Sequence, residues 1–126
     1  MTSAQPLRIL LVEDQAPVRA TLRQILLALG HEVWEAVHGV EALDYLQERL
    51  PDIILTDMDM PVMNGEAMCE ALASHPDWSG VPLVLMTGHD YPGLERARAL
   101  LPHAQWIGKP FTLDQLRECL GRTGAA

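Results

Sequence analysis

The sequence contains only two cysteines, Cys69 and Cys119, and neither belongs to a CxxC or Cys/His metal-binding pattern. It also lacks a continuous apolar run approaching the roughly 18 residues that a membrane-spanning helix needs. The N-terminal stretch MTSAQP has neither the positive charge nor the apolar core of a secretion signal. These absences predict buried free thiols, no membrane interaction and a reducing, cytoplasmic compartment.

Basic residues are scarce as well. The chain has 9 lysines and arginines against 17 aspartates and glutamates, a formal net charge of -8 at pH 7. A net negative field of this size repels nucleic acid and anionic membrane surfaces, so we expect no direct nucleic-acid binding. Apolar residues make up 48% of the 126 residues, which is enough for the core of one globular domain.

Short apolar runs alternate with longer segments of helical period along the whole chain. The runs predict five strands, at Leu7–Val12, Glu32–Ala36, Ile53–Leu55, Leu83–Met86 and Gln105–Gly108. The helical segments that follow them lie at about residues 17–30, 40–50, 65–75, 94–101 and 112–121. This alternation predicts an α/β fold, a doubly wound parallel sheet with helices on both faces. Five units leave no room for a second domain, so we expect a single domain over residues 1–126 with its core at about 6–121.

Helix signals support this pattern. In the first helical segment Val18, Leu22, Ile25 and Leu29 recur at helical spacing and are predicted to face the core. Pro17 suits a first helical turn and Gly30 a helix C-terminus. In the last segment the spacing of Thr112 and Gln115 predicts a capping box.

Polar residues follow the predicted strands at their carboxyl ends. Glu13 and Asp14 follow the first strand, Asp57 the third, Thr87 the fourth and Lys109 the fifth. Open parallel sheets bind ligands at this edge, so we expect these side chains to lie together. Three carboxylates in one cleft repel one another unless a cation lies among them, and oxygen ligands in a small cleft suit Mg²⁺.

A lysine and a threonine hydroxyl opposite such a metal would hold a tetrahedral anion between two positive centres. Phosphoryl transfer to a carboxylate needs this arrangement, because charge on the equatorial oxygens is neutralised while the carboxylate attacks in line. The residues alone therefore predict a Mg²⁺-dependent aspartyl-phosphate site.

Four motifs in the same order along the chain, LLVEDQ, LTDMDMPVMNG, LMTG and GKP, resemble those of the receiver domain of two-component response regulators. The resemblance covers essentially the whole chain and implies a flavodoxin-like (βα)5 fold with strand order 2-1-3-4-5. It implies phosphorelay signalling, with Asp57 taking a phosphoryl group from a phosphohistidine on a histidine kinase or histidine phosphotransfer protein. A receiver is not an enzyme that turns over a substrate, since it catalyses only its own phosphorylation and slow dephosphorylation.

The resemblance also implies the metal ligands. Asp14 and Asp57 would bind Mg²⁺ directly, Glu13 would act through a metal-bound water, and the backbone carbonyl of Asp59 would be the third protein ligand. Glu13 replaces the commoner aspartate at its position. The Asp59 side chain, together with His89, flanks the expected phosphoryl position and would tune the lifetime of the phosphate.

The resemblance also implies which residues contact the phosphoryl group and change conformation with it. Lys109 would pair with the phosphoryl oxygens, and Thr87 would move to hydrogen-bond the phosphoryl group. Trp106 stands where a switching tyrosine or phenylalanine is usual. The face made by the fourth helix, fifth strand and fifth helix would be remodelled. The Lys109–Pro110 bond is a candidate cis peptide that would aim the ammonium inward.

Two other functions are compatible with the Asp57–Asp59 pair or with the predicted fold. A haloacid-dehalogenase-type phosphatase would use Asp57 as nucleophile and Asp59 as general acid, but Pro61 stands where that motif has threonine or valine. A flavin-binding relative of the fold would need a Ser/Thr-rich phosphate loop after the first strand, and none follows it.

The histidines are scattered through predicted turns and helix ends. We expect them to be solvated loop residues rather than metal ligands or phosphorelay donors. They are His31, His38, His75, His89 and His103.

Overall fold

The computed structural model describes residues 6–58, 65–88 and 94–124, and in these it contains five strands and five helices in strict alternation. The strands are β1 (Arg8–Val12), β2 (Glu32–Ala36), β3 (Ile53–Asp57), β4 (Leu83–Thr87) and β5 (Gln105–Gly108). The helices are α1 (Ala16–Ala28), α2 (Gly39–Glu48), α3 (Gly65–Ser74), α4 (Leu94–Leu100) and α5 (Leu113–Gly124).

All five strands pair in parallel, in the order β2-β1-β3-β4-β5. This confirms the predicted doubly wound α/β fold and its strand order. The order reverses between β1 and β3, because β1 pairs with β2 on one side and with β3 on the other. Open α/β sheets bind ligands in the crevice at such a reversal, so a ligand site is expected at the carboxyl ends of these two strands.

The two faces of the sheet build two separate layers of core. Along β1, Ile9 and Leu11 pack in the layer that contains residues of α1 and α5, whereas Leu10 and Val12 pack in the layer with residues of α2, α3 and α4. Period-two alternation places neighbouring side chains on opposite faces, and both faces are covered. For this reason the inner strands are apolar along most of their length instead of alternating apolar with polar residues.

Helix α1 places three of the four residues marked by the helical spacing against the core, and buries Leu26 in addition. The fully buried side chains are those of Leu22 and Leu26, while Ile25 and Leu29 pack at the margin of the core. Val18, predicted to face the core, is 36% exposed. Leu22 and Leu26 are four residues apart and lie on one line of the helix, so this line is the centre of the contact with the sheet.

The predicted helix ends are confirmed. Gly30 follows α1 with a φ of 97°, a left-handed conformation that suits glycine. Before α5, the backbone N–H of Gln115 donates to Thr112 Oγ1 at 3.1 Å, and the backbone N–H of Thr112 donates to Gln115 Oε1 at 2.8 Å. These two bonds form the capping box expected from the spacing.

The histidines of the described residues do more than face solvent, so that prediction is incomplete. His31 Nδ1 accepts a hydrogen bond from the backbone N–H of Leu7 at 3.0 Å, and burial lowers the pKa of this imidazole. His38 caps α2 by accepting from the backbone N–H of Glu41, and the His75 ring is stacked on Trp78. His89 lies outside the described residues. Among the described residues, the cluster of side chains able to hold a metal ion is formed by Glu13, Asp14 and Asp57.

Among the residues described, the helices are too short or too polar for any of them to cross a bilayer.

The packing of α1 makes a direct prediction about stability. Replacing Leu26 by alanine removes a fully buried side chain and should lower the free energy of unfolding by about 2–5 kcal/mol, since it leaves a cavity in the α1 layer. Urea unfolding followed by circular dichroism measures this change. Leu27→Ala is the matched control, because the adjacent side chain is 43% exposed. Equal losses in the two variants would contradict the observed orientation of the helix.

Candidate functional site

Five predicted site residues lie at the same edge of the sheet. Glu13 and Asp14 occupy the short loop between β1 and α1, Asp57 is the last residue of β3, and Thr87 is the last residue of β4. Lys109 directly follows β5. The carboxylate oxygens of Glu13, Asp14 and Asp57 lie within 4.8 Å of one another, so the expected acidic cluster is present in the fold.

Backbone pairing beyond the strands holds this edge level. The N–H of Glu13 donates to the carbonyl of Ala36 at 3.1 Å, one residue past the end of β1. The N–H of Met58 donates to the carbonyl of Met86 at 2.9 Å, and the N–H of Lys109 donates to the carbonyl of Thr87 at 2.8 Å. The pairing of the sheet therefore continues into the loops that carry the site residues and fixes their backbone relative to the strands.

The carboxylates are buried and only partly compensated. Glu13 is 1% exposed and Asp57 is 4% exposed. Burial and the neighbouring charge of Asp57 raise the pKa of Glu13, against a hydrogen bond from the backbone of Gln15 and the charge of Lys109, which lower it. Glu13 Oε1 and Asp14 Oδ1 are buried oxygens without a hydrogen-bond partner.

These unpartnered oxygens fit a hard divalent cation. Buried carboxylates without donors are costly, and an ion among them removes both the repulsion and the missing contacts. Carboxylate oxygens with room for water are the ligand set that Mg²⁺ takes in proteins. In the described part of the chain no second cluster of three or more acidic, histidine or cysteine side chains has this geometry.

Lys109 faces Asp57 across the cleft. Its Nζ lies 2.9 Å from Asp57 Oδ1, with the lysine side chain 35% exposed and the aspartate side chain 5% exposed. Asp57 Oδ1 is buried and accepts no hydrogen bond. Its contact with Lys109 Nζ is therefore an ion pair without the angles of a hydrogen bond. The Lys109–Pro110 peptide is cis, as hypothesised from the sequence.

The two predicted switch residues lie on neighbouring strands, Thr87 at the end of β4 and Trp106 within β5. The Thr87 hydroxyl donates to the carbonyl of Gly88 at 2.7 Å, so it is engaged with its own loop. Trp106, on β5, is partly buried against the layer of α2, α3 and α4. The guanidinium of Arg98 lies 5.3 Å from the centre of the Trp106 ring. Asp59, with its backbone carbonyl, lies outside the described residues, as His89 does.

Two residues that contact the site were not predicted. Arg19 Nη1 donates to the backbone carbonyl of Glu13 at 2.9 Å, from the second turn of α1. Thr56, which is 1% exposed, donates from its hydroxyl to the backbone carbonyl of Asp57 at 3.1 Å. Thr56 could have been identified from the sequence, because it is a polar residue in an otherwise apolar run. The contact of Arg19 had no signal in the sequence, because it depends on where α1 packs.

The fold and the site define a class: a doubly wound α/β domain that pairs an acidic cluster with a lysine at the switch point of its sheet. Residues 9–121 match the family model of the response regulator receiver domain. The chain belongs to this receiver family, whose members are signalling domains of two-component systems, and the resemblance stated from the motifs is confirmed.

Relatives and solved structures agree with this assignment. The chain is 38% identical over 112 residues to the response regulator MprA of Mycobacterium sp. (strain KMS), covering 88% of this chain and 47% of that protein. The chemotaxis protein CheY4 of Vibrio cholerae superposes with a TM-score of 0.84 at 28% identity, covering 94% of this chain and 99% of CheY4.

A further solved structure is the signal receiver domain of a signal transduction histidine kinase from Syntrophus aciditrophicus. It has a TM-score of 0.83 at 32% identity, covering 94% of this chain and 89% of that one. The chain thus spans about half the length of MprA but nearly all of each of these two structures. These matches confirm the two-component signalling prediction and give no support to the haloacid-dehalogenase alternative.

The crowding of carboxylates predicts a stability gain from removing one of them. In the presence of EDTA, Asp14→Asn should raise the free energy of unfolding by on the order of 1 kcal/mol, because one negative charge leaves the repulsive cluster while the shape is kept. Urea unfolding measures it. Asp44→Asn makes the same substitution on the exposed face of α2 and should change stability far less. A loss of stability in the Asp14 variant would contradict this account of the cluster.

Proposed function

We propose that this receiver domain accepts a phosphoryl group on Asp57 from a phosphohistidine of a histidine kinase or histidine phosphotransfer protein. The observation that carries the proposal is the ion pair between Asp57 and Lys109, 2.9 Å long, at the rim of an acidic cluster. A carboxylate that has an ammonium on one side and cation ligands on the other has positive charge on both sides of an incoming phosphoryl group.

In the transfer step an oxygen of Asp57 attacks the phosphorus atom in line with the phosphorus–nitrogen bond of the donor. The new oxygen–phosphorus bond forms as the phosphorus–nitrogen bond breaks. The electron pair of the broken bond stays on the imidazole nitrogen, which takes up a proton, and Asp57 becomes an acyl phosphate. Lys109 pairs with the carboxylate of Asp57 before transfer and with the phosphoryl oxygens after it, so its charge is used in both states.

We propose Mg²⁺ as the cofactor. Asp14 and Asp57 would bind it directly, Glu13 would bind it through water, and the backbone carbonyl of Asp59 would complete the protein ligands. The unpartnered oxygens of Glu13 and Asp14 support this assignment. When bound, the ion supplies the second positive centre that neutralises the equatorial phosphoryl oxygens. The protein's own contribution is to hold the carboxylates together and keep Lys109 opposite them.

The proposed output is a shift between two conformations of the face formed by α4, β5 and α5. The Thr87 hydroxyl would leave the carbonyl of Gly88 and donate to the phosphoryl group, and Trp106 would reorient with it. Such a shift needs only that the phosphoryl group interact better with one of two existing states. Asp59 and His89 are proposed to adjust how long the phosphate survives.

Several wider properties belong to the same proposal. The domain catalyses its own phosphorylation and slow dephosphorylation, without turnover of a separate substrate. Residues 1–126 form one receiver domain with a core at about 6–121, acting in the cytoplasm. Its partners are the phosphohistidine donor and an output protein or domain, without direct contact with nucleic acid or membrane. The net charge of -8 supports this last point.

The proposal predicts a single covalent adduct. Incubation with Mg²⁺ and a small phosphodonor should add one phosphoryl group per chain, seen by intact-mass spectrometry. Asp57→Asn should abolish the adduct because the attacking oxygen is lost, and EDTA should suppress it in the parent protein. Asp44→Asn is the control, since that carboxylate is exposed on α2, and it should be phosphorylated like the parent.

Two outcomes would contradict the proposal. One is an adduct of undiminished amount in Asp57→Asn. The other is sustained release of phosphate from generic phosphate esters, which would indicate a phosphatase.

A further inference from the structure

Arg19 contacts the loop of Glu13 and Asp14 through its charged side chain, although it lies on α1 and not at the carboxyl edge of the sheet. It lies in α1, and its backbone N–H makes the first helical bond of that helix, to the carbonyl of Gln15 at 2.9 Å. Its Nη1 reaches back over this turn and donates to the carbonyl of Glu13 at 2.9 Å. The side chain is only 19% exposed, so the contact is sheltered from water.

The guanidinium of Arg19 is itself held in place. Its Nε lies 3.2 Å from Glu35 Oε1 on β2, and the other oxygen of Glu35 lies 3.0 Å from Arg23 Nε. Arg19 therefore ties three elements together: the end of β1, helix α1 and the edge strand β2. Two different nitrogens of one rigid, planar group make the two contacts, a geometry that a lysine cannot reproduce.

The carbonyl of Glu13 belongs to the peptide that joins Glu13 to Asp14. Because this peptide is planar, fixing its carbonyl fixes the orientation of the bonds that lead to both α-carbons. The N–H of Glu13 is fixed as well, by the carbonyl of Ala36 on β2. The backbone of Glu13 is thus fixed at its N–H by the carbonyl of Ala36 and at its own carbonyl by Arg19.

Arg19 acts here through the peptide and not through its charge on the carboxyl groups. The neighbouring charges that shift the pKa of Glu13 are those of Asp57, Lys109 and Asp14. A guanidinium that bonds to a backbone carbonyl orients the loop and leaves the carboxylate oxygens free for a cation.

We propose that Arg19 is a positioning residue that orients the Glu13–Asp14 loop for divalent-cation binding, with Glu35 as its anchor. The inference rests on the proposed Mg²⁺-dependent function and extends it to a residue outside the acidic cluster. Partners that orient metal ligands in this way typically contribute a 10- to 100-fold difference in metal affinity.

The test compares two matched substitutions. Arg19→Lys keeps the charge but loses the bridge between Glu13 and Glu35. Arg23→Lys makes the same change one helical turn further along, at a residue that pairs with the same Glu35. Titration calorimetry with Mg²⁺ alone should show binding weakened roughly 10-fold in Arg19→Lys and by less than about twofold in Arg23→Lys. Glu35→Gln, which releases the anchor, should give an intermediate loss.

A kinetic readout separates positioning from general damage. In Arg19→Lys the Mg²⁺ concentration for half-maximal phosphorylation should rise roughly 10-fold, while the rate at saturating Mg²⁺ stays within about threefold of the parent. Circular dichroism in EDTA establishes that each variant is folded, and Glu35→Gln carries the test if Arg19→Lys is not.

The outcomes distinguish this inference from the function on which it rests. Suppose that the parent binds Mg²⁺ and is phosphorylated. If the Mg²⁺ affinity of Arg19→Lys then equals that of the parent or that of Arg23→Lys, the positioning role is overturned and the proposed function stands. A parent protein that binds no Mg²⁺ would overturn both.

Discussion

The structure depends on one electrostatic arrangement, in which three carboxylates are brought together at the carboxyl edge of the sheet and a single lysine faces them. Asp57 is 4% exposed and its ion pair with Lys109 is 2.9 Å long. Burial and the charge of Asp57 raise the pKa of Glu13, as expected where carboxylates lie close together away from water. A cation bound among these carboxylates would offset their repulsion and would add to the stability of the folded state by mass action.

The parallel sheet keeps this arrangement in register. Strands β1, β3 and β4 are mostly apolar and pair along their length, so the polar residues at their carboxyl ends emerge at the same edge of the sheet. Hydrogen bonds one residue beyond the strands extend this order into the loops. Arg19 and Thr56 add contacts to the backbone carbonyls of Glu13 and Asp57. Rigid backbone around a crowded set of charges is what keeps the carboxylates from moving apart.

Much of this was predictable from the sequence, and the reason is physical. Apolar strands separated by amphipathic helices specify a doubly wound sheet, and the sheet then determines which residues share an edge, so Glu13, Asp14, Asp57, Thr87 and Lys109 could be grouped before any coordinates. The contacts that could not be predicted depend on side-chain direction and on the docking of one element against another. The helical spacing alone left Val18 as plausible a core residue as Leu26, and only packing decides between them. Arg19 and Glu35 are 16 residues apart on different elements, so their ion pair follows from the position of α1 beside β2.

The proposed function requires that Asp57, and none of the neighbouring acids, carries the phosphoryl group. Acyl phosphates are reduced by borohydride, which converts a phosphorylated aspartate to homoserine while free carboxylates are left unchanged. Peptide mass spectrometry after phosphorylation in Mg²⁺ and borohydride reduction therefore identifies the acceptor directly. Homoserine is expected at position 57 alone. Reduction product at Glu13, Asp14 or Asp59, with position 57 unchanged, would contradict it.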